Sequence, residues 1–459
     1  MELSGSTVLM THTLISNIMG STMVCAQVAE GLQRMGAAVS VLSSSLTGPA
    51  RAIFEDRDIH VVVGEDIDAS LFDFDYVWVH SQLLPLSFIR QLGKISREGV
   101  PSDKSLPSFV FNHMSALDSS PDEHPYIPLL EETVASAEVF VSKEAQNALS
   151  KDYDAKSNQG IPQMIMPNPA PSVFLQGSKL GRRCNRPTRI AIVSNHVPAE
   201  LFAAKQILKD AGVTLDIIGE QGVIAEVTPE LLEDYDAVVT IGKTVQYCMM
   251  SSTPVYVYDK FGGFGYLSAS NFKDCAYANF SGRGGVQKDG ATIAEEILAN
   301  YEEACEYSDS MHDVWVSHYC MEQVLNRLLS GVRPRSSINF PYEGYENALM
   351  MQMRFAWRYY RSWDFELWSR KRCEQLENQI TEKNRTIATR DNEIKQLYDN
   401  IEQLQQNVIE RDNDVARLRE ESALKDKMLQ QVYASHSYRV GHMVMAPLSH
   451  VKKVFTRDK

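Results

Sequence analysis

Three short segments carry the residues best suited to holding an anion. Gly242-Lys243-Thr244 stands between an apolar run, Asp236–Ile241, and a helical stretch, Val245–Met250. The start of a helix presents unpaired N–H groups and the positive end of its dipole, so a phosphate is stabilised there. Lys243 adds charge and Thr244 a hydroxyl. Ala237 stands where a Walker A loop needs glycine, so a P-loop is excluded. The second segment, Asp259-Lys-Phe-Gly-Gly-Phe-Gly-Tyr266, brings Gly262, Gly263 and Gly265 together with aromatic neighbours able to stack on a base or sugar. In the third, Asn279-Phe-Ser-Gly-Arg-Gly-Gly285, Arg283 sits among glycines and is suited to gripping a diphosphate. An ordinary tight turn accounts equally for each segment taken alone.

Toward the N-terminus the candidates are of another type. Asn17-Ile-Met-Gly-Ser-Thr22 follows an apolar run and opens a helical pattern. The third glycine of a dinucleotide fingerprint is missing and no acidic residue follows the second strand, which argues against hydride transfer. His80 and His113 each close an apolar run, where a histidine serves either chemistry or a structural hydrogen bond. Asp118, Asp122, Glu123 and His124 make a polar loop without metal-ligand spacing, and no metal site is expected.

The elements that must position these residues alternate in type. Strands are expected at Thr7–Met10, Ala38–Leu42, His60–Val63, Tyr76–His80, Ser108–Asn112 and Glu138–Val141, with a helix over Met23–Met35 that stops at Gly36. Strands separated by such helices read as βαβ units of a parallel sheet. A Pro/Gly-rich connection over 166–187 leads to a second set: Arg189–Val193, Thr214–Ile218, Asp236–Ile241 and Pro254–Tyr258. The expected architecture is two tandem Rossmann-like doubly wound α/β domains, residues 1–165 and 188–330, with a ligand cleft at their strand ends. Residues 331–372, which include Arg354-Phe-Ala-Trp-Arg-Tyr-Tyr-Arg-Ser-Trp363, read as an amphipathic helical linker packing back on the second domain.

From Cys373 the chain is almost free of Gly and Pro. Counting sevens puts Ile380, Ile387, Ile394, Ile401, Val408 and Val415 at position a. Position d carries Leu376, Leu397, Leu404 and Leu418, interrupted by Lys383, Arg390, Arg411 and Lys425. β-branched residues at a with Leu at d favour two parallel strands, so residues 373–430 are expected to form a long coiled-coil helix and residues 373–425 a homodimer. A basic amphipathic tail, 431–459, follows. Over 436–459 it is suited equally to an anionic membrane surface and to a solvated tail.

Composition narrows the partners. The 459 residues carry a net charge of −14, which disfavours nucleic acid. The seven cysteines are scattered and never spaced Cys-x-x-Cys, as in a reducing cytoplasm. No apolar run is long enough to span a bilayer, and none at the N-terminus resembles a signal peptide.

Several stretches resemble GT-B glycosyltransferases, the two-Rossmann-domain enzymes that move a sugar from a nucleotide diphosphate donor. They are the turn Gly20-Ser21, His113, Ala137-Glu-Val-Phe-Val-Ser142, Met166-Pro-Asn-Pro169 and Gly242 through Pro254-Val255. Ile192-Val-Ser-Asn-His-Val-Pro198, Ile241-Gly-Lys-Thr-Val-Gln246 and Tyr258-Asp-Lys-Phe-Gly-Gly resemble a bacterial glycosyltransferase-like subgroup that often carries a C-terminal coiled coil. Ser437-Tyr-Arg-Val-Gly441 and Ala446-Pro-Leu448 are similar to tails of surface-polysaccharide glycosyltransferases. The resemblance implies a metal-independent sugar transfer with no resident cofactor, onto a cell-surface glycan or lipid-linked acceptor, at the inner face of the cytoplasmic membrane. Read from the residues themselves, the donor diphosphate is expected over Gly242, Lys243, Thr244 and Gly262, Gly263, Gly265, with Arg283 closing on it and Asn195, His196 and Asp259 on the same side. Gly20, Ser21 and His80 fall on the acceptor side, with His113 against the transferred sugar as general base. Two departures stand out. Val239 and Tyr247 occupy the positions of the family's glutamate pair, and Asn195 and Glu200 those of its Arg/Lys diphosphate clamp. A catalytically silent scaffold of polysaccharide synthesis is therefore the alternative reading.

Overall fold

In a computed structural model of the chain, the described residues are 3–80, 82–117, 127–152, 160–181 and 185–454, without the side chains of 446–454. Asp118, Asp122, Glu123 and His124, and the tail beyond Val454, lie outside them. The chain divides into two compact units, Met1–Leu367 and Trp368–Lys459.

The first unit holds two sheets. The N-terminal strands are β1 (Thr7–His12), β2 (Ala38–Ser43), β3 (His60–Val63), β4 (Tyr76–Val79), β5 (Ser108–His113), β6 (Ala135–Phe140) and β7 (Gln163–Ile165). Among the described residues they form one parallel sheet in the order β3-β2-β1-β4-β5-β6-β7. Val8, Met10, Val110 and Val139 face one core, beneath helix α1 (Gly20–Arg34) and α2 (Ala50–Glu55). Leu9, Val77, Val79 and Phe109 face the other, beneath α3 (Leu86–Glu98) and α4 (Pro128–Val134). Burial on both faces is why these strands read as continuous apolar runs. After β6 comes α5 (Lys143–Leu149), whose N-cap Ser142 accepts from Ala145 N–H.

The second sheet comprises β8 (Arg189–Val193), β9 (Thr214–Ile218), β10 (Ala237–Thr240), β11 (Val255–Asp259) and β12 (Gly262–Tyr266), ordered β12-β11-β10-β8-β9. All pairs are parallel except β11–β12, an antiparallel hairpin. Between and after the strands lie α6 (Ala199–Asp210), α7 (Pro229–Glu233), α8 (Lys243–Met250), α9 (Phe272–Tyr277), α10 (Gly290–Ala299), α11 (Tyr301–Tyr319) and α12 (Met321–Gly331). The two tandem Rossmann-like domains are thus present. The strands at 7–12, 38–43, 60–63, 76–79, 108–113, 189–193, 214–218 and 237–240 fall within two residues of their expected bounds.

β6 begins three residues before its expected start at Glu138, β7 has no counterpart among the expected strands, and two further elements depart in kind. Helix α13 (Tyr345–Ala434) packs its first turns on the first domain, not the second. Tyr345, Leu349, Met353, Trp357 and Tyr360 are buried among Leu84, Phe88, Ile89 and Leu92, and Trp357 Nε1–H donates to Leu84 O at 3.0 Å. The pattern of aromatics identified an amphipathic face but could not say which sheet it covers. The second departure is β12, expected as a ligand-binding loop and treated below.

In the second unit α13 continues to Ala434, and α14 (His436–Val454) follows. The a-row residues Ile380 through Val415 are each 44–58% exposed in the single chain. No helix among the described residues is long and apolar enough to cross a membrane.

Candidate functional site

In each doubly wound sheet the strand order reverses once, and the strand ends part there to leave a crevice. In the second sheet this point lies between β8 and β10. A cleft of about 420 Å³ opens over it, closed on the far side by the start of α1 from the first domain. Ser194, Asn195 and His196 enter from the end of β8, Gly242, Lys243 and Thr244 from the start of α8, Asp259 and Lys260 from the end of β11, and Met19 and Gly20 from the start of α1. The sheet order therefore gathers Gly20, Asn195, His196, Gly242, Lys243, Thr244 and Asp259 into one place.

Gly242 is the centre of this arrangement. Its φ of +59° lies in the region that favours glycine, and a Cβ built on it would meet no atom within 4 Å, so the backbone borders open space. Gly242 N–H donates to Phe280 O at 2.9 Å, and Asn279 and Phe280 themselves hold left-handed φ values of 51° and 55°. The loop after α9 is thus bent to brace the start of α8. The helix has no side-chain cap; Val245 N–H turns back to Gly242 O at 3.0 Å, and the N–H groups of Lys243 and Thr244 supply an anion-binding end.

The charges are disposed differently from expectation. Lys243 is buried, which lowers its pKa well below the ordinary lysine value. Its Nζ donates to the carbonyls of Asn168, at 3.1 Å, and Pro169. The ammonium is therefore occupied in tying α8 to the interdomain connection. Asp259 is 5% exposed, and burial raises its pKa. It accepts from Ser194 Oγ–H at 3.0 Å and from Lys260 N–H at 2.7 Å. Ser194 Oγ in turn accepts from His196 N–H at 3.0 Å. This chain of donors holds a carboxylate at the cleft, beside the exposed side chains of His196 and Lys260. Among the described residues no cluster of His, Cys, Asp or Glu could hold a metal ion.

The other expected site residues are placed elsewhere. Arg283 does not line the cleft. It spans the domains to Glu144 on α5, with Nε–Oε distances of 3.0 and 3.2 Å and a further contact from its terminal nitrogen. Gly262, Gly263 and Gly265 belong to β12, not to a loop. A Cβ on Gly263 would lie 2.0 Å from Val257 O, so its glycine serves the close approach of β11 and β12. Ser21 does not line the cleft. Its carbonyl accepts from His80 Nε2–H at 2.9 Å, while His80 Nδ1 accepts from the Asn112 amide at 3.0 Å. Burial lowers the His80 pKa to about 4, so the ring is a neutral tie between β4 and α1. His113 is sealed as well: its Nε2 contacts Glu131 Oε1 at 2.7 Å with both side chains fully buried, and its ring stacks on Phe140 at 4.9 Å. His113 does not line the cleft.

Sequence reasoning missed several of the cleft's residues. Met23 lines it from α1, Glu226 from the segment before α7, and Tyr247 from α8. Tyr247 stacks on Phe174 at 4.1 Å, and its hydroxyl accepts from Gln27 Nε2 at 2.7 Å, a buried bond across the domains. Arg57 adds another crossing, reaching Glu226 and Glu30. A polar residue on an apolar helix face, such as Gln27, was the available sign of the Tyr247 contact.

No family model matches the chain, and no curated protein matches its sequence. Among solved structures it is similar to a glycosyltransferase from Rickettsia africae ESF-5, with 11% identity over 71% of this chain and 97% of that one, at a TM-score of 0.45. MurG of Acinetobacter baumannii matches with 12% identity, 71% and 99% coverage and a TM-score of 0.40. A putative UDP-N-acetylglucosamine 2-epimerase from Listeria monocytogenes matches with 12% identity, 71% and 94% coverage and a TM-score of 0.40.

Proposed function

We propose that the chain transfers a sugar from a nucleotide diphosphate donor seated in the interdomain cleft. The observation that carries this reading is the uncapped start of α8, with Gly242 bare, opening into a cleft at the switch point of the second sheet. The diphosphate lies over Gly242–Thr244, where helix N–H groups and dipole replace the missing Arg/Lys clamp. Lys260 supplies exposed positive charge at the same cleft, and His196 a ring able to hydrogen-bond. Asp259 faces the donor as a hydrogen-bond acceptor, suited to the hydroxyls of a ribose or sugar. The acceptor enters past Met19 and Gly20. No resident metal or cofactor is part of this reading.

The acceptor is a cell-surface glycan or lipid-linked glycan, residues 373–425 form a parallel homodimer, and 436–459 rest on an anionic membrane surface at its cytoplasmic face. Nucleic acid is not a partner. At 1.5 Å per residue the paired segment is a rod of ~80 Å.

One observation favours a silent scaffold instead. Lys243, Arg283 and His113, the cations and base expected from the sequence, are all held by protein groups. Incubating the whole chain with labelled nucleotide sugars and lipid-linked acceptors separates the two. Transfer that falls at least about tenfold in Asp259→Asn and Lys260→Ala supports the enzyme. Donor binding without transfer supports the scaffold, and unchanged rates in both variants overturn the placement.

A further inference from the structure

Within the globular unit, the first turns of α13 have two unlike sides. Tyr345, Leu349, Met353, Trp357 and Tyr360 are buried on the first domain. The opposite side is largely aromatic and well exposed: Met351 is 49% exposed, Phe355 67%, Tyr359 53% and Phe365 68%, with Ser362 between them and Arg358 reaching Glu65 at 3.8 Å. At 3.6 residues per turn these six positions fall within an arc of about 120° facing away from the buried row. Tyr359 is braced by ring contacts with Tyr360 at 5.2 Å and Trp363 at 6.0 Å. Bulky apolar side chains collected on one open face mark an interaction surface.

The heptad count says what covers it. Sevens counted back from Ile380 reach Cys373, Glu366 and Tyr359, and from Leu376 they reach Ser369, Ser362 and Phe355. Phe355 and Tyr359 are therefore d and a positions of the same frame that runs through the coiled-coil segment. Met353, Trp357 and Tyr360 take positions b, f and b, away from the seam, whereas Tyr345 at a and Leu349 at e are buried on the first domain, so the seam can run back to Phe355 and ends there. Arg372 at g is complementary to Glu377 at e across a parallel seam, the arrangement that fixes pairing and register.

We propose that this open face is the root of the homodimer interface, with Phe355, Tyr359 and Ser362 packing against the same residues of a second copy. Pairing thus extends into the globular unit itself and holds two clefts as one assembly. The proposal rests on the parallel pairing of 373–425 described above.

Disulfide trapping on the full chain tests it. Knobs-into-holes packing brings a and d residues of two chains into contact, within range of a disulfide, whose Cα atoms lie about 4.4–6.8 Å apart. Cys373, exposed and at an a position, reports on the rod as it stands. In a background carrying Cys184→Ser and Cys373→Ser, the variants Phe355→Cys, Ser362→Cys and Arg361→Cys are oxidised mildly and run on non-reducing gels. The expected result is a disulfide dimer from Phe355→Cys and Ser362→Cys, and none from Arg361→Cys at position c. A dimer through Cys373 without one through 355 or 362 would overturn the proposal while leaving the rod intact. Failure of Cys373 as well would overturn both, without touching donor binding in the cleft. Binding to phosphatidylcholine vesicles containing phosphatidylglycerol that is lost in Phe355→Glu, with 355 and 362 uncrosslinked, would assign the face to a membrane and overturn it too.

Discussion

Replacing His113 separates a structural histidine from a catalytic one. His113 and Glu131 are fully buried and 2.7 Å apart, joining the end of β5 to α4. Removing the ring takes a hydrogen-bond partner from the buried Glu131 carboxyl, which costs about 1–3 kcal/mol. The lost ring also leaves a void against Phe140, stacked on it at 4.9 Å. For a domain of this size about 1 kcal/mol moves the midpoint by 2–4 °C, so His113→Ala with a loss of about 3 kcal/mol should melt about 6–12 °C lower. Thermal unfolding followed by near-UV circular dichroism gives the shift, and nucleotide binding measured well below the transition gives the function. Binding should stay near that of the wild type, since His113 does not line the cleft. A His113→Ala protein that melts within about 1 °C of the wild type yet has lost transfer would refute the reasoning and restore the histidine to the site.

Other consequences are as direct. Gly263→Ala forces a Cβ to within 2.0 Å of Val257 O, and the β11–β12 hairpin should lose about 3 kcal/mol or fail to form, as read by urea denaturation. Tyr247→Phe leaves the Gln27 amide without its 2.7 Å acceptor, a cost of about 1–3 kcal/mol in the same assay. Acidification should destabilise the first domain through His80. Its pKa falls from 6.5 to about 4 on folding, so the contribution is fully present above pH 6.5 and is lost as pH drops from there toward 4. The loss amounts to about 3 kcal/mol at most, and a shallower pH slope in His80→Asn is the check. Ile394→Glu with Ile401→Glu should abolish the dimer in sedimentation, since each puts a charge in the seam.

Most of the strands were legible because they are buried on both faces and bounded by turns, and the position of Gly242 followed from its place between a strand and a helix. The rest was hidden for identifiable reasons. β12 reads as a loop because close packing against β11 demands glycine, the same residue that flexible loops use. β7, three residues long, has too little apolar content to register. Lys243, Arg283 and His113 have side chains suited to chemistry, but their partners, Asn168 and Pro169, Glu144 and Glu131, are set by tertiary contact. Residue type reports what a side chain can do, and only the fold reports whether it is already engaged. Cleft residues such as Met23 and Glu226 come from elements whose approach no local pattern records.

The central claim is that the cleft over Gly242 holds a nucleotide diphosphate sugar. Isothermal titration of the whole chain with uridine, adenosine, guanosine and thymidine diphosphate sugars tests it most directly, with Gly20→Trp as the blocked cleft. Gly20 borders the cleft, and a Cβ there meets nothing within 4 Å, so a large side chain fills the space without displacing the core. Saturable binding of at least one donor to the wild type, absent in Gly20→Trp at an unchanged melting temperature, is the predicted result. Binding of none of them, or binding that Gly20→Trp leaves untouched, would contradict it.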